Sequence, residues 1–490
     1  MEEMTQMEEN RMEYENQPML FPVDRREWIY GLVCLICALC LSNFVLQGGF
    51  YLGFALASLA LTLSTCAYLL SRGHKLTAYS GALLALSLVI CAGFIRSNDS
   101  FVKFVLLCFL AVAENLSLCL LAGQNLRSPG GFSTVFDAPR ALFTLGLGQI
   151  EPAVRSMFRS AKNSGKAGRL GGGFVLGLLL ALPLLAVVVV LLIRADAAFS
   201  GLVNLLPKAD GGEIYGTAIC GILGFFLVFP RGLGLHHREK QQPQAKQRKG
   251  LYPVTVNTVL LALCLVYLVY LFSQLAYFTG GLSGILPQEY TMAQYARQGF
   301  FEMAWLCAIN LFTVAIAVAV VKKEEKAPLF TRLLCLFISL ITLFFVVAAS
   351  AKMGLYIGSY GLTRLRVLTE VIMVFMAITT VLVAIWLFVP KMPYMKAVLL
   401  TALVMGALVL WVDVDTVVAA YNVTAYEKGL LDTLDVPYLA TLSDGAIPYI
   451  ARAAEIMPGA GNVLHIIEPN RWNDLRDWNI ASWLAERILR

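Results

Sequence analysis

Charge is what this chain lacks. Only 14% of its 490 residues are Asp, Glu, Lys or Arg, while 58% are hydrophobic and the mean hydropathy is +0.71; a soluble protein carries about 25% charged residues. Histidine is scarcer still, with four copies at positions 74, 236, 237 and 465. That scarcity excludes an H-E-x-x-H zinc site. Gly281-Leu282-Ser283-Gly284 matches the short G-x-S-G of rhomboid-type intramembrane proteases, but only His465 follows it, far down the tail, so no membrane Ser–His dyad can form. No G-x-x-x-x-G-K-[ST] phosphate loop occurs. The eleven cysteines all fall inside apolar runs and none lies in a loop, which excludes a disulfide framework. Cys34, Cys37 and Cys40 form a helical stripe with no His or carboxylate beside it, so small-residue packing accounts for them better than a metal does.

What the chain does have is long apolar blocks, each near the 20 residues that cross a bilayer as a helix. Eleven are read, at 28–46, 50–71, 76–95, 101–123, 174–193, 212–230, 253–278, 299–321, 330–350, 367–389 and 395–412. The expected fold class is therefore all-α: a polytopic transmembrane helix bundle, with a small helical extracytoplasmic C-terminal domain. Basic residues set the orientation. With the N-terminus inside, 24 of the 38 Lys and Arg fall in the six inner segments and 8 in the five outer loops. An odd number of spans then puts the C-terminus outside, and the expected location is the plasma membrane. No cleavable signal is expected, because residues 1–27 are acidic and the next apolar run is too long for one.

The expected units follow from composition. Residues 1–27 form an acidic cytoplasmic tail and 28–123 hold the first four spans. Residues 124–173 form a basic amphipathic segment suited to the anionic inner leaflet. Residues 174–412 hold seven spans, interrupted by 231–250, which is Gln- and Lys-rich and reads as a flexible linker. His236 and His237 stand there without carboxylate or Cys support, so they read as solvated loop residues and no metal is expected. Residues 413–490 are net acidic, with helical periodicity and Pro437 and Pro448 placed to start helices; Asp415 and Ser443 read as caps.

Ionisable residues in or beside spans are the candidate site residues, because each costs about 2.5–3.5 kcal/mol at mid-membrane. Leu286–Glu302 is an unusually polar stretch between two apolar blocks. It faces a second one, Lys352–Glu370, at the outer surface. Together they place Arg297, Glu302, Lys352, Arg364, Arg366 and Glu370 at one level. Gly354, Gly358 and Gly361 suggest that the ninth span turns there into a re-entrant or interfacial segment. Two readings stand: an aromatic belt with snorkelling side chains, or a polar pocket for an anionic or polar ligand. Glu114 is the one charge near mid-span, with Asn115 next to it and no neutralising neighbour in sequence. It is either a protonated, hydrogen-bonded group or a proton or cation relay. Asn310 is a candidate interhelical hydrogen bonder.

Three stretches carry a family likeness: YTMAQYARQGFFEMAWLCAIN (290–310), AASAKMGLYIGSYGLTRLRVL (348–368) and VDVDTVVAAYNVTAY with VPYLATLSDGAIPYI (412–450). Over roughly 130–490 the chain resembles the DUF4173 family, bacterial integral membrane proteins of unknown function that are loosely similar to the DUF4153 group. The family pattern has an acid where Gln294 stands and Arg where Lys352 stands. The resemblance implies a bacterial envelope membrane protein and supplies no reaction.

Three function classes follow. One is a signalling, scaffold or ligand-sensing component that uses the outer domain. The second is a transporter or lipid-handling protein with a path toward Glu114. The third is an envelope enzyme on a lipid-linked substrate, for which no paired acid and base is found, so no catalytic residue is named. No cofactor is expected. The expected partners are membrane lipids and an envelope protein met through residues 413–490. Nucleic acid is not expected, because the basic inner loops are what topology requires.

Overall fold

The structure is a computed structural model. It describes residues 24–96, 98–124, parts of 139–156, 211–237, 252–281, 292–320, 329–457 and 475–489. The span read at 174–193, most of 124–173 and residues 286–291 of the Leu286–Glu302 stretch lie outside the described residues. Everything regular among the described residues is helical: α1 (Arg25–Gln47), α2 (Leu52–Ser71), α3 (Ala78–Gly93), α4 (Ser100–Leu121), α5 (Gly211–His237), α6 (Pro253–Gly281), α7 (Met292–Val320), α8 (Leu329–Tyr360), α9 (Arg364–Phe388), α10 (Tyr394–Val412), α11 (Val414–Glu427), α12 (Val436–Leu439), α13 (Ile447–Ile456) and α14 (Ile480–Leu489). Eight of these are long and apolar enough to cross a membrane. A ninth arises if α10 and α11, bent by 57°, count as one broken span, and α3 is apolar but shorter. Their outer faces suit lipid: Phe272 on α6 is 76% exposed, and Val269, Trp305 and Phe312 are nearly as open.

Local chemistry starts these helices where the sequence changes character. Asp24 opens α1 with a capping box: its carboxylate accepts from the amides of Arg26 and Glu27, and Glu27 accepts from the Asp24 amide. Thr77 caps α3, Asp99 caps α4 and Thr363 caps α9. Two boundaries differ from the sequence reading. Helix α5 runs through Pro230 to His237, so residues 231–237 are helix and not the start of a flexible linker; Arg231 is buried and neutralised there, which removes the cost of continuing. Helix α8 runs unbroken through Gly354 and Gly358 to Tyr360, and no re-entrant turn forms. It stops at Gly361, whose φ of +73° suits glycine, and a Cβ there would strike the Asn422 side chain.

The helices pack as two groups. The first contains α1 to α5, with Leu35, Tyr68, Leu118, Phe225 and Phe229 in one core and Phe54, Leu83, Phe94 and Leu110 in the next. The second contains α6 to α9 around Cys264, Ile338, Phe345, Met373 and Val383. Helix α10 joins them: Leu403 and Ala407 enter the first group, Tyr394 and Met395 the second. Residues 419–453 form a separate small core around Val423, Leu439 and Ile450, in which Pro437 and Pro448 occupy first-turn positions of α12 and α13.

Close approach between α1 and α5 depends on Gly232, which lies against the Tyr30 ring where it stacks on Tyr68 with centroids 4.3 Å apart. A Cβ at 232 would sit far inside contact distance of Tyr30. Gly232→Ala should therefore cost about 1–3 kcal/mol by overpacking, read as a lower thermal unfolding midpoint of the detergent-solubilised protein. An unchanged midpoint would mean that the crossing has slack.

Candidate functional site

The loops at one end of the bundle are bound together by residues after 412. Asp415, 3% exposed, accepts from Nε and Nη2 along one edge of the Arg364 guanidinium, and Arg364 also reaches Asp99 at 3.0 Å. The Ser443 amide donates to Asp415 at 2.8 Å, and Tyr438 Oη accepts from the Arg364 amide at 3.0 Å. Asn422 bonds both the N–H and the C=O of Leu362, at 2.6 and 2.9 Å. On the α3–α4 loop, Asn98 accepts from the Asp444 amide at 3.3 Å, and the Ile95 carbonyl accepts from Ile480 at 2.9 Å. On the α1–α2 turn, the Arg476 carbonyl accepts from Gly53 at 3.2 Å and its side chain reaches Gln47. Asp415 is thus an ion-pair anchor, not the helix cap that its position suggests. Ser443 likewise makes no side-chain cap bond.

The sequence-named residues at this level divide. Arg364 is committed to Asp415 and Asp99. Arg366 lies 4.0 Å over the Tyr356 ring and donates to the Tyr360 and Gly361 carbonyls, which neutralises the C-terminal end of α8. Lys352 and Glu302 are within electrostatic reach of each other across α8 and α7. Glu370 hydrogen-bonds with Ser350, and its Oε1 is buried with no hydrogen-bond partner among the described residues. The Arg297 side chain lies outside the described residues. Lower in the bundle, Asn310 is fully buried on α7 and accepts from Tyr267 on α6.

Glu114 has a partner that sequence proximity does not reveal. Arg231 of α5, 117 residues away, donates to its Oε1 at 2.5 Å and to Asn115 at 3.3 Å, with both ion-pair side chains largely buried. The pairing sets opposite charges side by side in the helix core, while Arg231 Nε is buried with no hydrogen-bond partner among the described residues. Toward the N-terminal end the polar line continues with Tyr30 and Thr65, their hydroxyls 3.1 Å apart.

That line ends in a cluster that sequence reasoning missed. Glu27 is fully buried. It pairs with Arg72, meets His237 Nε2 at 3.0 Å and accepts from Tyr68 at 3.3 Å. Arg72 also grips Asp24 at 2.8 Å through both terminal nitrogens. Burial alone would lift the Asp24 carboxyl, but Glu27, Arg72 and the capped amides outweigh it and hold Asp24 well below the usual carboxylate range. Burial alone would lower the Arg72 guanidinium, and Asp24 and Glu27 reverse that and raise it. His74 Nε2 lies 3.1 Å from His236 Nδ1. The two adjacent histidines are therefore a half-buried helix terminus with carboxylate support, not a solvated pair in a linker. Only the rarity of histidine hinted at it.

With this geometry in place, the comparison with known families is decisive on one point. The family model for DUF4153, a domain of unknown function, matches residues 33–453, most of the chain. The chain belongs to the DUF4153 family. No curated protein and no solved structure matches it. The Asp415–Arg364, Glu114–Arg231 and Glu27 groupings of this DUF4153 protein all include residues inside the matched span, and the last draws Asp24 and Glu27 from just before it.

Removing one member of the Glu114–Arg231 pair strands a buried charge. Arg231→Met alone should destabilise the solubilised protein by about 3–5 kcal/mol, and adding Glu114→Gln should recover much of that loss. Thermal unfolding of both single variants and of the double variant measures it. Strictly additive losses would mean that the two groups do not act as a pair.

Proposed function

We propose that this protein is a sensor or scaffold of the bacterial cell envelope, in which the helical module of residues 413–490 receives a ligand or protein partner and the membrane bundle carries the response. The observation behind this reading is that one module ties three separate interhelical turns, α1–α2, α3–α4 and α8–α9, at one end of the bundle. A load or displacement applied to the module reaches both helix groups at once. In this reading the eleven spans run with the N-terminus inside and the C-terminal module outside the plasma membrane, as the excess of Lys and Arg at the other end supports. The likeness to the DUF4173 pattern supports the bacterial envelope. Glu302, Lys352 and Glu370, with Arg297, Arg364 and Arg366 at the same level, remain the proposed ligand-binding set beneath the module.

A second reading, a transporter, is favoured by the buried polar line from Glu27 through Tyr30 to Glu114. Two measurements separate them. Asp432→Cys in the module should react with a membrane-impermeant maleimide on intact cells, and Lys75→Cys only after permeabilisation; the native cysteines lie in the helices and give the blank. The reverse pattern would invert the topology. In reconstituted vesicles, wild type and Glu114→Gln should show the same background proton flux. A flux that Glu114→Gln abolishes would replace the sensor with the transporter.

A further inference from the structure

Three of the four histidines in this chain converge on one place. His236 and His237 end α5, and His74 lies in the turn after α2 with its Nε2 at 3.1 Å from His236 Nδ1. The carboxylate of Glu27 comes from the first turn of α1, 210 residues away in sequence from His237. One ligand atom each from Glu27, His236 and His237 lies within 4.8 Å of the other two. The Nε2 to Oε1 separation of 3.0 Å between His237 and Glu27 is already close to the edge of a tetrahedral site, about 3.3 Å when metal–ligand bonds are near 2.0–2.1 Å.

From this geometry we infer that the N-terminal end of the bundle holds a divalent transition-metal site of the zinc class, with Glu27, His236 and His237 as ligands. Two imidazoles and one carboxylate form a borderline donor set that suits zinc and disfavours magnesium or calcium, which take oxygen ligands. Three protein ligands leave a fourth position for water. The surroundings supply outer-shell contacts as well. His74 orients the His236 ring, and Tyr68 and Arg72 fix the Glu27 carboxylate. The Arg72 charge is offset by Asp24, bound at 2.8 Å, so the site does not face an unbalanced cation. Glu27 is fully buried while the His237 side chain is 14% exposed, so the opening is on the histidine side. A bound ion would fasten α1 to α5 beside the Tyr30–Gly232 crossing, adding a reversible tie at the end opposite the C-terminal module.

The test uses the full-length chain in detergent, purified without a histidine tag. Zinc is titrated against a chromogenic chelator, and cobalt is added separately as a spectroscopic probe. One equivalent of zinc should bind with a micromolar or tighter Kd and raise the unfolding midpoint. Cobalt should give the intense visible absorption of a tetrahedral nitrogen–oxygen site. The His236→Asn/His237→Asn double variant should bind zinc at least 100-fold more weakly, and zinc should no longer raise its unfolding midpoint above the value that the same variant shows in chelator. His74→Asn should weaken binding about 10-fold or more, and His465→Asn should change nothing. Sub-stoichiometric binding by the wild type, or binding unchanged in the double variant, overturns the site. If the double variant does not fold, the wild-type cobalt spectrum and the His74→Asn affinity decide the matter: an octahedral spectrum or an unchanged affinity overturns it.

Discussion

Neither hydrocarbon nor a packed protein interior offers water to an ion, and that single constraint organises the buried charges of this protein. A buried charge must find an opposite charge or several hydrogen bonds inside the protein, or the helix that carries it does not stay in the membrane. Glu114 finds Arg231, Glu27 finds Arg72 and His237, and Asp415 finds Arg364. Each pairing joins a helix to another helix or to the residue that ends one, so charge neutralisation and tertiary structure are the same event. The pair at Glu114 lies within the first helix group, the Glu27 cluster closes one end of that group, and the Asp415 pair fastens the opposite end to the second group.

Apolar packing alone would leave these helices free to slide, because lipid tails compete with side chains for apolar contact. Close crossings and polar ties fix the register. Gly232 lets α1 and α5 approach at Tyr30, and α10 belongs to both helix groups through Leu403 on one side and Tyr394 on the other. The module after Val412 then closes three turns at once. Asp99 shows how closely these roles are linked: it caps α4 and also reaches Arg364. Losing it would affect a helix start and the attachment of the module together.

The helices themselves were legible in the sequence, because hydrophobic length is a local property. Eight apolar blocks match long helices and two more match the short α3 and the bent α10. Capping was partly legible: Pro437 and Pro448 start helices, but Asp415 and Ser443 do not cap them. The span end read at 230, with a flexible linker after it, fell short because a distant carboxylate neutralises Arg231 and makes continuation favourable. The turn expected around Gly354 failed because glycine permits a break without requiring one, and Arg366 stabilises the end of α8 further on. Pairings across 117, 210 and 51 residues leave no mark on local pattern. For that reason Glu114 looked unpaired, the histidines looked like loop residues, and the gathering of Arg364 onto Asp415 went unseen.

The Arg364–Asp415–Asp99 latch makes the C-terminal module and the turns beneath it one cooperative unit. Hydrogen exchange followed by mass spectrometry, on wild type and Arg364→Met in the same detergent, tests it most directly. With the latch broken, protection should fall together in residues 414–456 and in the α1–α2 and α3–α4 turns. Faster exchange confined to the first turn of α9, with the module and the other turns unchanged, would contradict it.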